Sequence, residues 1–162
     1  MVIKDLSKWS FNEPLTSGFS IRTYHLGDEE HWCLIISESF NAEFKLDKWQ
    51  KQILGKEGYR PERVFFVLDD AGVPCATASA MRIGGEQHGY VHYVGTRLVF
   101  AGKKLGYHVT AAVTQSFRRE GCQNATLDTD PHRIPAIRVY LKLGYRPLIV
   151  HEKHQGIWGD MR

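Results

Sequence analysis

The sequence predicts an α/β fold of the α+β type: a mixed, mostly antiparallel twisted central sheet with helices on both faces. Three observations carry that expectation. Strand-like and helix-like segments follow one another as strand, two helices, three strands, helix, strand, helix, strand. The three central strands are separated only by the turn residues Asp69-Asp70-Ala71-Gly72 and Gly84-Gly85, so they pair as a meander of hairpins. Each later strand is preceded by a segment in helical phase, the kind of connection that returns a strand by a crossover. With 162 residues, 43% hydrophobic and 24% charged, the chain has the size and composition of one globular domain spanning residues 1–162.

Residues 1–18 read as an irregular arm punctuated by Pro14 and Gly18. Phe19 to His25 alternates apolar and polar residues, the period of a half-buried strand. Asp28 is expected to cap a helix running to about residue 40: Glu29 and Glu30 suit its first turn, and Trp32, Ile35, Ile36 and Phe40 fall at helical spacing. Asp47 to Leu54 suggests a short second helix, ended near Gly55. Arg63 to Leu68 is a strong strand, Val73 to Arg82 a strand of small residues, and Tyr90 to Thr96 one rich in aromatic and β-branched residues. Val109, Ala112, Val113 and Phe117 set a helix over Tyr107 to Glu120, closed by Gly121. Asn124 to Thr129 follows as a strand, and Pro135 to Leu143 as a helix with proline in its first turn and Gly144 at its end. Tyr145 to His151 is the last expected strand.

Composition excludes several function classes. The longest strictly apolar runs, Trp32 to Ile36 and Val64 to Leu68, are five residues, against the ~20 a membrane helix needs. The opening residues, Met-Val-Ile-Lys-Asp-Leu-Ser-Lys-Trp, hold no apolar stretch of signal-peptide length. Cys33, Cys75 and Cys122 are odd in number, far apart and without a C-x-x-C pair, which fits a reducing cytoplasm rather than a disulfide framework or cysteine zinc site. A net charge of +3 suits a small anionic ligand. The densest basic patches, Lys103-Lys104 and Arg118-Arg119, are too short for a nucleic-acid face, and neither nucleic acid nor membrane is expected as a partner. His151 and His154 do not share a face on a strand or tail, and no third ligand accompanies them, so no metal site is expected.

Two stretches carry chemistry. In Thr96-Arg-Leu-Val-Phe-Ala-Gly-Lys-Lys-Leu-Gly-Tyr107 a strand ends, a short loop carries two glycines and two lysines, and a helix begins. Such a turn exposes backbone N–H groups at the positive end of a helix, which suits phosphate or pyrophosphate, and Lys103 and Lys104 add point charge. Read alone, it is equally an ordinary strand-to-helix turn with solvated lysines. It is neither an NTPase phosphate loop nor a dinucleotide fingerprint, since G-x-x-x-x-G-K-[ST] and G-x-G-x-x-G are absent. In the second stretch, Leu127 to Tyr145, a strand ends in Asp128 and Asp130, and a short helix places Tyr140 one turn after Ala136.

Together the two stretches resemble the GNAT superfamily of acyl-CoA-dependent N-acetyltransferases, closest in motif to small bacterial members. Ala101-Gly-Lys-Lys-Leu-Gly106 occupies the [Q/R]-x-x-G-x-[G/A] signature, and Arg133, Ala136, Tyr140, Gly144 and Tyr145 match N-x-x-A-x-x-x-Y-x-x-x-G-[F/Y]. The match covers residues 63 to 150 well and the preceding strand and helices in outline. Ala101 stands where the family has Arg or Gln, Lys104 where it has Gly, and Arg133 where it has Asn. Lys104 either adds an ionic contact or crowds the phosphate site.

The resemblance implies transfer of acetyl from acetyl-CoA to a primary amine of a small molecule or peptide, directly in a ternary complex. It places the backbone of Val94, Gly95 and Thr96 against the pantetheine arm and Gly102, Lys103, Lys104, Leu105, Gly106 and Tyr107 around the pyrophosphate, with Arg133 among the cofactor-binding residues. Tyr140 matches the tyrosine that protonates the departing thiolate, a role a phenol of pKa about 10 can fill; as a residue alone it is also a packing tyrosine. An acceptor amine must lose a proton before it attacks, so a base is needed. Asp128, working through water, is the first candidate and His92 the second, an imidazole with an ordinary pKa of about 6.5. Asp128 is equally a strand-end carboxylate holding the next turn, His92 equally structural, and Asp130 suits a helix cap. Phe40, Phe44, Trp49 and Tyr59 either wall the acceptor pocket or fill core. The cysteines lie outside both motifs, which gives no support to an acyl-cysteine intermediate. A homodimer is compatible with the family. The rival readings are a non-catalytic CoA-binding or regulatory module of the same fold and a basic nucleic-acid module.

Overall fold

The computed structural model describes residues 1–148. Its six strands are β1 (Val2–Ile3), β2 (Ser20–Thr23), β3 (Val64–Leu68), β4 (Pro74–Arg82), β5 (His88–Thr96) and β6 (Asn124–Thr126), and its helices α1 (Asp28–Phe40), α2 (Leu46–Trp49), α3 (Leu105–Arg119) and α4 (Ile134–Lys142). They form one sheet in the order β1-β6-β5-β4-β3-β2. Every pairing is antiparallel except β5 with β6. This is the mixed, mostly antiparallel sheet expected: hairpins join β3, β4 and β5, and the parallel β5–β6 pair is bridged by α3.

The alternating strand pattern divides the core into two layers. Val67, Ala76, Ala78, Ala80 and Val91 face α3, α4 and the N-terminal arm, while Val64, Phe66, Leu68 and Met81 face α1 and α2 with Trp32, Ile36, Trp49 and Ile53. The small residues of β4 let α3 lie close to the sheet. Gly121 and Gly144 close α3 and α4 as expected: the N–H groups of Cys122 and Gly121 return to the carbonyls of Phe117 and Arg118, and those of Tyr145 and Gly144 to Tyr140 and Leu141.

Several local expectations are corrected. The arm is not irregular throughout, because Val2–Ile3 adds an edge strand to β6. Asp28 is not the cap of α1. Gly27 occupies that position, and the Asp28 carboxylate accepts from the His25 N–H and from the Arg22 guanidinium. Past Trp49 the second helix widens into a π turn, Gln50–Leu54. Strand β6 stops at Thr126, three residues short of the expected end. Arg146 bridges to Val2; the rest of the strand expected to reach His151, and His151 and His154 themselves, lie outside the described residues. Among the described residues no helix is long and apolar enough to cross a membrane.

Candidate active site

A cleft opens where β6 leaves the sheet. The parallel ladder runs only from His88 opposite Asn124 to Tyr90 opposite Thr126. Beyond it β5 continues to Thr96 while residues 127–133 turn away, so the β6-side edge of β5 loses its partner strand. The resulting cavity of about 240 Å³ is lined by Tyr90, His92, Tyr93 and Val94 of β5, by Asp128, Asp130 and Arg133 of the departing segment, and by Phe40 and Tyr140.

A bulge shapes this edge. Four residues of β5, from His92 to Gly95, span the three from Thr77 to Ser79 on β4. Tyr93 absorbs the extra residue at φ +47°, in the left-handed region that an aromatic residue rarely enters. The bulge reverses which face the following residues present. A Cβ at Gly89 would lie 2.5 Å from the Phe117 ring on α3, whereas one at Gly95, six residues on, would lie 2.8 Å from Ile36 Cδ1 on α1. In an unbroken strand both would face the same helix. Gly95 therefore lets the C-terminal end of α1 rest on β5, beside the cleft.

That close approach alters one expectation. Ser39 Oγ accepts the Thr96 N–H at 2.7 Å and donates to the Thr96 carbonyl at 2.9 Å. Both main-chain groups of Thr96 are engaged by α1, which leaves Val94 and Gly95 as the members of the expected backbone trio not held this way. Arg97 and the Leu98 N–H bind Glu38, fixing the same junction.

At the start of α3, Lys104 caps the helix in the left-handed region, φ +59°, and no side chain caps it. This is the reason a glycine suits the position. Its side chain projects into solvent rather than onto the loop, because Ala101 to Lys104 are all exposed. Among the described residues, no acceptor is placed for the N–H groups of Lys104, Leu105, Gly106 or Tyr107. They form an uncapped helix terminus suited to an anion. The loop does not line the cavity, but it adjoins the end of β5: a Cβ on Gly106 would meet Thr96 Oγ1 at 3.4 Å. The Tyr107 hydroxyl is already committed, donating to Glu13 at 2.7 Å.

The candidate catalytic residues come together in the cleft. Tyr140 is 6% exposed, and burial pushes its phenol up to about 12, so it carries its proton at any ordinary pH. Asp128 is exposed and accepts a hydrogen bond from the Tyr90 hydroxyl at 3.1 Å; it sits past the end of β6 rather than on the strand. His92 differs from expectation. Its Nε2–H donates to the Gln52 carbonyl at 3.0 Å, and burial lowers its pKa to about 4, with Lys56 also opposing protonation. It is neutral near pH 7 and a far weaker base than a free imidazole. Asp130 does not cap α4: the cap residue is Arg133, without a side-chain cap bond.

Arg133 spans the cleft. Its guanidinium lies 3.7 Å over the Phe40 ring, and Nη2 donates to the Ser39 carbonyl at 3.3 Å. Of the aromatics weighed as acceptor walls, Phe40 lines the cavity, Phe44 packs behind it on Phe40 and Tyr93, Trp49 is core, and Tyr59 packs against the α1 layer. Sequence reasoning missed Ser39, Tyr90 and Tyr93. Tyr90 was accessible through its strand spacing to His92; Ser39 and the Tyr93 bulge follow from pairings that leave no local mark.

Comparison with known proteins bears on the fold and the family. No curated protein sequence matches the chain. Among solved structures it is similar to a GCN5-related N-acetyltransferase from Sphaerobacter thermophilus (20% identity, TM-score 0.71, 88% of this chain and 45% of that one). It is also similar to a GNAT acetyltransferase from Staphylococcus aureus (14%, 0.66, 83% and 88%) and to the ribosomal-protein-S18-alanine N-acetyltransferase of Escherichia coli (14%, 0.67, 80% and 79%). These likenesses are of fold, and the chain spans a little under half the length of the Sphaerobacter protein. A sequence model described as the acetyltransferase (GNAT) family matches residues 21–145, well over half of the chain. The chain belongs to the GNAT acetyltransferase family.

Proposed function

We propose that the protein transfers an acetyl group from acetyl-CoA to a primary amine of a small molecule or peptide, directly and without a covalent intermediate on the chain. The observation that carries this reading is the pairing of a buried, fully protonated phenol, Tyr140, with an exposed carboxylate, Asp128, in a cleft along the open edge of β5. Proton donor and proton acceptor are the two groups that aminolysis of a thioester requires.

Acetyl-CoA would bring an activated acyl group and a thiolate leaving group. The residues present suit it: the uncapped N–H groups of Leu105, Gly106 and Tyr107, with Lys103 and Lys104 nearby, fit the pyrophosphate, and the β5 edge at Val94 and Gly95 fits the pantetheine amides. Tyr140 Oη holds its proton and gives it up on the leaving side. Asp128, oriented by Tyr90, takes the acceptor ammonium proton through a bridging water. His92 acts as a neutral wall of the cleft, and Arg133 faces the same cavity.

The reading is tested by calorimetric titration with acetyl-CoA, followed by amine-dependent thiol release. Micromolar binding with release on adding an amine is the expected result. Ser39 on Thr96 and the left-handed Lys104 favour one other reading, a CoA-binding module without catalysis. Binding without release from any amine selects that module; no binding at millimolar acetyl-CoA removes both.

A further inference from the structure

Arg133 is held as a binding group rather than as a strut. Its plane is fixed by the Phe40 face at 3.7 Å and by one bond to the Ser39 carbonyl at the negative end of α1. Its nearest carboxylate, Asp130 Oδ2, is 3.7 Å from Nε, outside hydrogen-bond distance, on a side chain 65% exposed. The remaining guanidinium donors have no hydrogen-bond partner among the described residues, although the side chain is only 21% exposed and lines the cavity. A guanidinium fixed in plane, with donors to spare, facing a half-open cleft, is suited to a bidentate anion.

The rest of the cavity says where that anion belongs. Asp128 stands in the same lining and suits a cation. Asp130 also lines the cavity, beside Arg133, and the other walls include Tyr90, His92, Tyr93 and Phe40, with His92 neutral at pH 7. The cleft, about 240 Å³ and open on one side, suits a small acceptor head. A small molecule with an ammonium at one end and a carboxylate at the other satisfies both charges.

We propose that the acceptor is an amine carrying a carboxylate, an amino acid or a close relative, and that Arg133 binds the carboxylate. This deepens the acetyl-transfer reading and rests on it. The same guanidinium chemistry would also hold a phosphate of the cofactor, so the experiment separates the two sources.

Matched pairs such as glycine and glycinamide, or β-alanine and its amide, are compared in two readouts: acetyl-CoA-dependent thiol release, and calorimetric binding in the presence of saturating CoA. The amides are the less basic amines, a bias that runs against the expected result. Acids should exceed amides in kcat/KM and in affinity by ~10–100-fold, the scale of a hydrogen bond to a charged group. Arg133→Gln should bring the ratio close to one, and Arg133→Lys, keeping the charge without the fork, should restore part of it. Equal handling of acids and amides in both readouts overturns the proposal. So does an Arg133→Gln protein that keeps the acid preference while its acetyl-CoA dissociation constant rises, which would place the guanidinium on the cofactor. Thiol release without acid preference sinks this proposal and leaves the transfer reading standing. An Arg133-dependent acid preference in binding, with no release from any amine, upholds the carboxylate site and removes the transfer reading.

Discussion

Tyr140 and Asp128 are both polar residues at one cleft, yet burial treats them oppositely. The phenol is enclosed by the α3–α4 layer, which raises its pKa and keeps the proton in place; the Arg133 charge lowers it only in part. The carboxylate stands in solvent with a single phenol donor. Replacing Tyr140 with Phe removes the proton without changing the packing, so turnover should fall by ~10²-fold or more while acetyl-CoA binding persists. Unchanged turnover in a steady-state assay would take Tyr140 out of the chemistry. Asp128→Asn leaves the acceptor to lose its proton unaided, so the pH–rate profile should move to higher pH, and by more than for Asp130→Asn. Equal profiles for the two variants would return both carboxylates to a structural role.

Among the elements, β5 decides the site. Its first half pairs with β6 and packs on α3; the bulge at Tyr93 turns its second half toward α1 and leaves one edge without a strand. Gly95 is the pivot of that arrangement. A methyl group there would stand 2.8 Å from Ile36 Cδ1 and 3.0 Å from Ser39 Oγ. Gly95→Ala should therefore cost ~1–3 kcal/mol by overpacking. That corresponds to a fall in melting temperature of several degrees, at ~2–4 °C per kcal/mol for a chain of this size. A melting temperature equal to that of the parent protein would mean that α1 does not rest on β5 as described.

For the whole molecule, the half-buried His92 makes stability depend on acid. Its pKa is about 4 in the fold against 6.5 for a free imidazole, so the folded form excludes a proton that the unfolded chain accepts. The stabilisation is full above pH ~6.5 and is lost progressively as the pH falls from there toward 4. Buried His108 is shifted the same way, again through burial. At ~1.4 kcal/mol per pH unit the His92 difference amounts to at most ~3.5 kcal/mol. His92→Gln, which keeps a donor for the Gln52 carbonyl, should flatten the fall in denaturant-measured stability between pH 6.5 and 4.5. An equally steep fall in the variant would assign the acid sensitivity elsewhere.

Periodicity, glycine caps and turn residues are local, and the sequence alone determined them. The order of elements from β2 to α4, the bounds of α1 to within a residue, and the closure of α3 and α4 at Gly121 and Gly144 all follow from spacings of a few residues. The cleft does not. It exists because β6 stops pairing at Thr126, because Tyr93 inserts a bulge opposite β4, and because Ser39 reaches Thr96 across 57 residues of chain. The environment of His92 is likewise set by Gln52, forty residues away. Such pairings are settled by which surfaces the whole fold brings together. The sequence supplied the candidate residues, and the tertiary structure decided their surroundings, their partners and the space between them.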